Sequence, residues 1–186
     1  MREALTKLLY DRYSILFAEH RLDASESGMA WGFQHDDGWF AIVDALAAVL
    51  TAHRPDAVAV SVKQKMGRFV LYLKERDTFS DGACFAAGSF SRAISELSGR
   101  PGVLMSRRGG GLRTLAAGEL PDYAPVPPLV WDRYGDGPID RIADAGLTPS
   151  AMAGERAFHD VMALRVDPVT GACGPVDDCG RLIEGM

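Results

Sequence analysis

The sequence predicts an α+β protein in which helices pack on two β-hairpins and a C-terminal helical and looped extension follows. Three observations carry this. Apolar residues recur every three or four positions over residues 3–18 and again over 38–53, the spacing of a helix with one buried face. The period then drops to two in "AVAVSVK", the spacing of a half-buried strand. Two pairs of short apolar runs are joined through glycine, at Gly67 and at Gly109, Gly110 and Gly111, as hairpin strands are.

The elements follow in order. Leu5, Leu8, Leu9, Leu16 and Phe17, with Tyr13 between them, predict a helix over 3–18. Residues 23–33 read as a loop of small polar residues that ends in "GMAWGF". Asp36 and Asp37 offer N-caps for a second helix over 38–53. Its buried stripe is Trp39, Ile42, Val43, Leu46, Val49 and Leu50, and Pro55 stops it. In the first hairpin Val58, Val60 and Val62 are expected on one face, and Gly67 supplies the turn dihedral that other residues avoid. A third helix is expected over 81–97, with Phe90, Ile94 and Leu97 as its stripe and Gly99 as its stop. "GVLMSRR" and "LRTLAAG" flank the three glycines as a second hairpin. A phosphate loop would instead need its glycines to open a helix and to precede a Lys-Ser or Lys-Thr pair.

From Pro121 the composition changes. Residues 121–138 hold five prolines in eighteen positions and read as a linker or strap. Tyr123, Val130, Trp131 and Tyr134 would pin it to a surface. Residues 139–186 form an acidic segment with a short helix near Ile139–Ala145 and a longer one from Thr148, where Pro149 takes the first helical position. The domain organisation is thus a core over 1–120, the strap, and that segment.

Composition narrows the function. Apolar residues make up 47% of 186, enough to pack a core. No apolar run reaches the ~18 residues of a membrane span, and "MREALTKLLYDRY" lacks the uninterrupted apolar stretch of a signal peptide, so a cytoplasmic location with no membrane partner is expected. Three cysteines, Cys84, Cys173 and Cys179, form no disulfide framework. Cys173 and Cys179, separated by five residues, can pair or bind a metal only with ligands the sequence does not place beside them. Net charge is −5, yet it is segregated. Residues 61–120 carry ten Lys/Arg against five Asp/Glu, and residues 121–186 carry five against eleven. Such a distribution is either a mixed solvated surface or a basic face for an acidic partner.

Catalytic signals are thin. His35, Asp36 and Asp37 are the right types for a metal or for acid–base work; the simpler reading makes one aspartate a helix cap and His35 a loop residue. His159 and Asp160 are adjacent on a helix, so their side chains diverge by about 100°. Neither a nucleophile elbow nor a dinucleotide fingerprint nor a kinase signature is present. The binding candidates are stronger. Lys63, Lys65, Arg68, Arg107, Arg108 and Arg113 flank the two hairpins, and they make one electropositive patch if the hairpins face the same way. Trp31, in a glycine-flanked loop, is the aromatic best placed to be exposed; Trp39 belongs to the core.

Three stretches also resemble a family of small, functionally uncharacterised proteins of phages and bacterial genomes. They are the block from "LYDRYSILF" through "WGFQHDDGWF", the hairpin "VSVKQKMGRFVLYL", and "SELSGRPGVLMSRRGGGLRTLAAGE". The resemblance covers residues 6–120 and implies that the second hairpin is zinc-ribbon-like. Where family members carry the zinc ligands, this chain has Ser95, Ser98, Ala116 and Glu119, and the cysteine positions of the first block hold Ala30 and His35. The resemblance therefore implies a degenerate ribbon without its metal, and no cofactor is expected. It also implies a mobile-element setting. The expected function is that of a non-catalytic phage accessory protein in the host cell that binds a host or defence-system protein complex, with a nucleoprotein such as a CRISPR effector among the candidates. A nucleic-acid-binding module using the basic hairpins and a virion structural protein are the alternatives, and a small enzyme using His35, Asp36 and Asp37 is a third.

Overall fold

A computed structural model describes residues 1–126 and 148–174. It shows a mixed α+β architecture of four helices and two three-stranded sheets among those residues. The helices are α1 (Glu3–Arg12), α2 (Phe40–His53), α3 (Thr78–Phe90) and α4 (Pro149–Ala163). The first sheet runs in the order β1 (Phe33–Gln34), β2 (Ala59–Lys65), β3 (Arg68–Leu73), with β1 parallel to β2 and β2 antiparallel to β3. The second places β4 (Val103–Arg107) between β5 (Leu112–Leu115) and β6 (Tyr123–Pro125), all antiparallel. No helix of the described residues is long and apolar enough to cross a membrane.

Helix α2 is the centre of the core. Trp39, Ile42, Val43, Leu46, Val49 and Leu50 are all buried, as the stripe predicts. Burial there goes further than one face: Ala41, Ala45 and Ala47 are also enclosed, because α1, the first sheet, α3 and α4 surround the helix. The aspartates before it do not cap it, and their side chains leave for other partners.

The α2 helix also buries one charge. Asp44 is 1% exposed, and an isolated carboxylate there would be too costly to keep ionised. Arg165, just past α4, meets its Oδ2 through Nε at 2.8 Å and NH2 at 2.7 Å. Tyr13 donates its hydroxyl to Oδ1 at 2.9 Å and Arg12 approaches the same oxygen at 3.3 Å. This explains why α1 stops at Arg12 although the apolar pattern runs on to 18. The backbone of Tyr13 leaves helical dihedrals, and its hydroxyl bonds Asp44. Burial, the neighbouring Asp44 charge and that hydrogen bond all push the tyrosine pKa upward.

The third helix starts and ends earlier than its pattern predicts. Asp77 caps it by accepting from Ser80 N at 2.8 Å, and Ile94 and Leu97 belong to the loop that follows. Its main partner is α4. Gly82 lies so close to Ala151, and Gly154 to Phe79, that a Cβ at either would overlap a backbone carbonyl. Phe158 and Met162 reach the same apolar cluster as Trp39, so the core extends well past residue 120. Thr148 caps α4 and Pro149 opens it, as expected. The expected helix near Ile139–Ala145, most of the strap with Val130, Trp131 and Tyr134, and Cys179 lie outside the described residues. The strap's first residues join the second sheet as β6.

One correction concerns β2. The register shifts between Ala59 and Ser61. A β-bulge of this kind reverses which residues face inward. Ala57, Ala59 and Val62 are therefore buried, while Val58 and Val60 are only half-buried. Beyond the bulge Gln64 takes the inward register opposite Phe69.

Replacing Asp44 by Ala leaves Arg165 buried without its partner. The expected cost is about 3–5 kcal/mol, read as a lower urea midpoint at unchanged denaturant slope.

Candidate functional site

The two hairpins do face one another. Thr114 Oγ1 donates to Gly67 O at 2.5 Å, and Gln64 donates its amide to Leu112 O. Gly67 sits in a two-residue turn where both Met66 and Gly67 have positive φ, 55° and 78°, the geometry that the twist of a hairpin favours. Between the hairpins lies a cleft of about 880 Å³. Gln34, Gln64 and Met66 line it from the first sheet, and Ser106, Arg107, Leu112 and Arg113 from the second.

Glu96 closes its floor. This carboxylate is 5% exposed and accepts from Arg113 Nε at 3.1 Å. The Arg113 guanidinium also bonds Asp36. Burial pushes the Glu96 carboxyl above its usual range, and Arg113 opposes the shift. Desolvation alone would lower the Arg113 pKa, but its bonds to Glu96 and Asp36 outweigh it and hold it higher. The backbone of Glu96 is equally committed: its N–H donates to Thr114 O at 2.9 Å, and its carbonyl accepts from Gly38 N at 2.8 Å. The outward carbonyls of β5 are thus capped by Gln64 and Glu96, which covers an otherwise exposed sheet edge.

Of the basic residues singled out by sequence, Arg113 is tied into the floor. Lys65 and Arg68 stand opposite each other at the first turn. Lys63 lies over the Tyr72 ring at 5.5 Å, and Arg107 over Tyr123 at 6.0 Å. Arg107 and Arg108 are exposed beside Gly109, Gly110 and Gly111, whose φ angles of 92°, 110° and 94° only glycine adopts easily. Trp31 is 70% exposed, but its turn packs against Val60, at the opposite end of β2 from Lys65.

His35, Asp36 and Asp37 go three ways. Asp36 binds Arg113, Asp37 binds Arg2 at 2.5 Å, and His35 is enclosed by the rings of Phe33, Trp39 and Phe69. Its Nδ1 lies 2.8 Å from Asp36 O. A carbonyl only accepts, so Nδ1 carries the proton and Nε2 is a bare acceptor, which finds no partner. Burial lowers its pKa to about 4. No group of three His, Cys, Asp or Glu among the described residues is placed to hold a metal ion. Burial pushes the Cys84 and Cys173 thiols up to about 12, far from the thiolate a nucleophile needs. His159 is 4.0 Å from Glu155, and it forms no dyad with Asp160.

Ser95, Ser98 and Ala116 lie around the Glu119 carboxylate. Ser95 Oγ donates to Glu119 Oε2 at 2.6 Å and accepts from Leu97 N and Ser98 N at 3.1 and 3.2 Å. Ser98 donates to the other carboxylate oxygen. Ala116 N and Arg100 complete the shell at 2.9 and 3.2 Å. Desolvation would raise the Glu119 pKa, but these donors outweigh it and hold the carboxylate ionised below its usual range.

Gln34, Gln64, Met66 and Glu96 were not foreseen as site residues. Only Gln64 left a signal, as a polar residue at an inward register, and the bulge hid it. No family model, no curated protein and no solved structure matches this chain.

Two outcomes are expected. Glu119→Ala strands the buried Ser95 hydroxyl and should cost about 1–3 kcal/mol, seen as a lower melting midpoint. His35 has the opposite kind of effect. Between pH 6.5 and about 4 the unfolded chain takes up a proton that folded His35 refuses, so stability falls as pH falls through that window. The His35→Phe variant lacks this loss. Its stability relative to the parent should rise by about 3 kcal/mol from pH 7 to pH 4, measured by denaturant titration at several pH values.

Proposed function

We propose that this protein is a non-catalytic accessory protein of a phage or mobile element, acting in the host cell by binding a host or defence-system protein complex, with a nucleoprotein among the candidates. The observation that carries this reading is the joining of the two hairpins into one face. Lys65, Arg68, Arg107 and Arg108 stand at its two tips, and the cleft lies between them. The charged groups at the cleft floor are spent on each other, Arg113 against Glu96 and Asp36, which suits recognition better than proton transfer. Trp31 supplies a second contact of the aromatic kind that anchors interfaces.

Binding to nucleic acid alone is the second reading, favoured by the same tips. Affinity capture from nuclease-treated lysate of the native host, read by mass spectrometry, separates the two. A defined protein complex that survives nuclease, and is lost on Arg107→Glu/Arg108→Glu, is the expected result. Background alone after nuclease would overturn the protein-directed reading.

A further inference from the structure

We propose that the cleft between the hairpins takes a nucleotide, with the base inside against Gln34 and Gln64 and the phosphate at Arg107 and Arg108 on the rim. The inference rests on reading the joined hairpins as the binding face, and it names what that face holds.

The cleft is of the right size. Its volume of about 880 Å³ falls within the range of small-molecule sites. Its chemistry changes from floor to rim. At the floor, the Glu96–Arg113–Asp36 set is internally paired, so the interior offers no free cation to an anion. What it offers is amide. The Gln34 side chain carries a donor and an acceptor, and Gln64, one N–H of which is given to Leu112 O, keeps its amide oxygen and second N–H; these are the functions found along the edge of a base. Met66, Leu112 and Val126 add apolar wall, which suits the flat faces of a base. At the rim the sign is positive. Arg107 and Arg108 are exposed, and nothing lies within 4 Å of where a Cβ would stand at Gly109 or Gly110, so a phosphate can reach the tip unobstructed. A ligand that fits must be neutral and rich in amide-like groups at one end and anionic at the other. A bare phosphate would leave the two glutamines unmatched, and a neutral peptide would leave the rim arginines unused.

Two sources share this chemistry, a free nucleotide and a nucleotide within a single strand. The test titrates the purified full chain with the mononucleotides AMP, GMP, CMP and UMP. It also uses a labelled mixed-sequence single strand of about ten nucleotides and the duplex of the same sequence, at several salt concentrations. The single strand is expected to bind, and the duplex, whose bases are stacked away, at least about ten-fold more weakly. Affinity should fall with salt at a log–log slope of about −1 to −2, for two phosphates neutralised. Gln34→Ala is the decisive variant, because its side chain is exposed and folding does not depend on it. It should lose about five-fold or more and change the ranking of bases. Arg107→Glu/Arg108→Glu should abolish binding.

Tighter binding of one mononucleotide than of the strand identifies the free nucleotide as the ligand. Equal binding of single strand and duplex, or a Gln34→Ala variant that binds like the parent, overturns the base pocket. So does no binding of any probe at about 1 mM. None of these outcomes touches the proposed function, which fails only if nuclease-treated capture yields no complex.

Discussion

Everything in this fold is arranged around a charge placed where it does not belong. Asp44 lies in the middle of the most apolar helix among the described residues, and it stays there because three groups reach it from outside that helix. Tyr13 and Arg12 come from the end of α1, and Arg165 comes from 121 residues further on. Burying an ion pair gains little net stability, but leaving one member unpaired is costly. The cluster therefore acts as a constraint on geometry: α1 must end where it does, and the segment after α4 must return to α2. Once it does, Gly82 and Gly154 let α3 and α4 close on each other, and the core is complete.

The same constraint reaches the cleft through a short series of contacts. Ser91, at the end of α3, accepts from Phe69 N at 2.9 Å and so fixes the first hairpin to the helix. Trp39, at the start of α2, donates its indole N–H to Ile94 O at 2.9 Å. Two residues on, Glu96 ties Gly38 to the edge of β5 through its backbone and presents its side chain to Arg113. The floor of the cleft is thus tied to β5 and to the start of α2 through Glu96, while the glycine tip at the rim has no packed neighbours at Gly109 and Gly110. A floor held by several hydrogen bonds beneath an open rim keeps the interior side chains in place for a ligand that approaches from the tip.

The helices and hairpins were legible because their signals are local. The stripe of α2, both hairpins, the glycine turn and the cap of α4 each follow from a few neighbouring residues. What failed did so where a distant partner decided. The α1 pattern continues to Phe17, and Leu16 and Phe17 are indeed buried, but Asp44 takes Tyr13 out of the helix. Asp36 and Asp37 look like caps because helix starts favour them; Arg113, 77 residues away, claims the first. The basic set of the two hairpins shows the same limit: the sequence displays the Arg113 charge and conceals that Glu96 and Asp36 are its partners.

The stretch "SRRGGGLRT" gathers these points. Its glycines form a hairpin tip, its last residue ties the second hairpin to the first through Thr114, and its three arginines do different work. Arg113, inside the strand, is neutralised and becomes part of the floor. Arg107 and Arg108, at the tip, keep their charge at the surface. The division follows from where each residue stands: Arg113, along β5, is held by Glu96 and Asp36, whereas Arg107, at the end of β4, lies over the Tyr123 ring and Arg108 enters the glycine turn, both exposed. The same short sequence therefore supplies both the neutral interior and the cationic edge, and a ligand that contacts one is held within reach of the other.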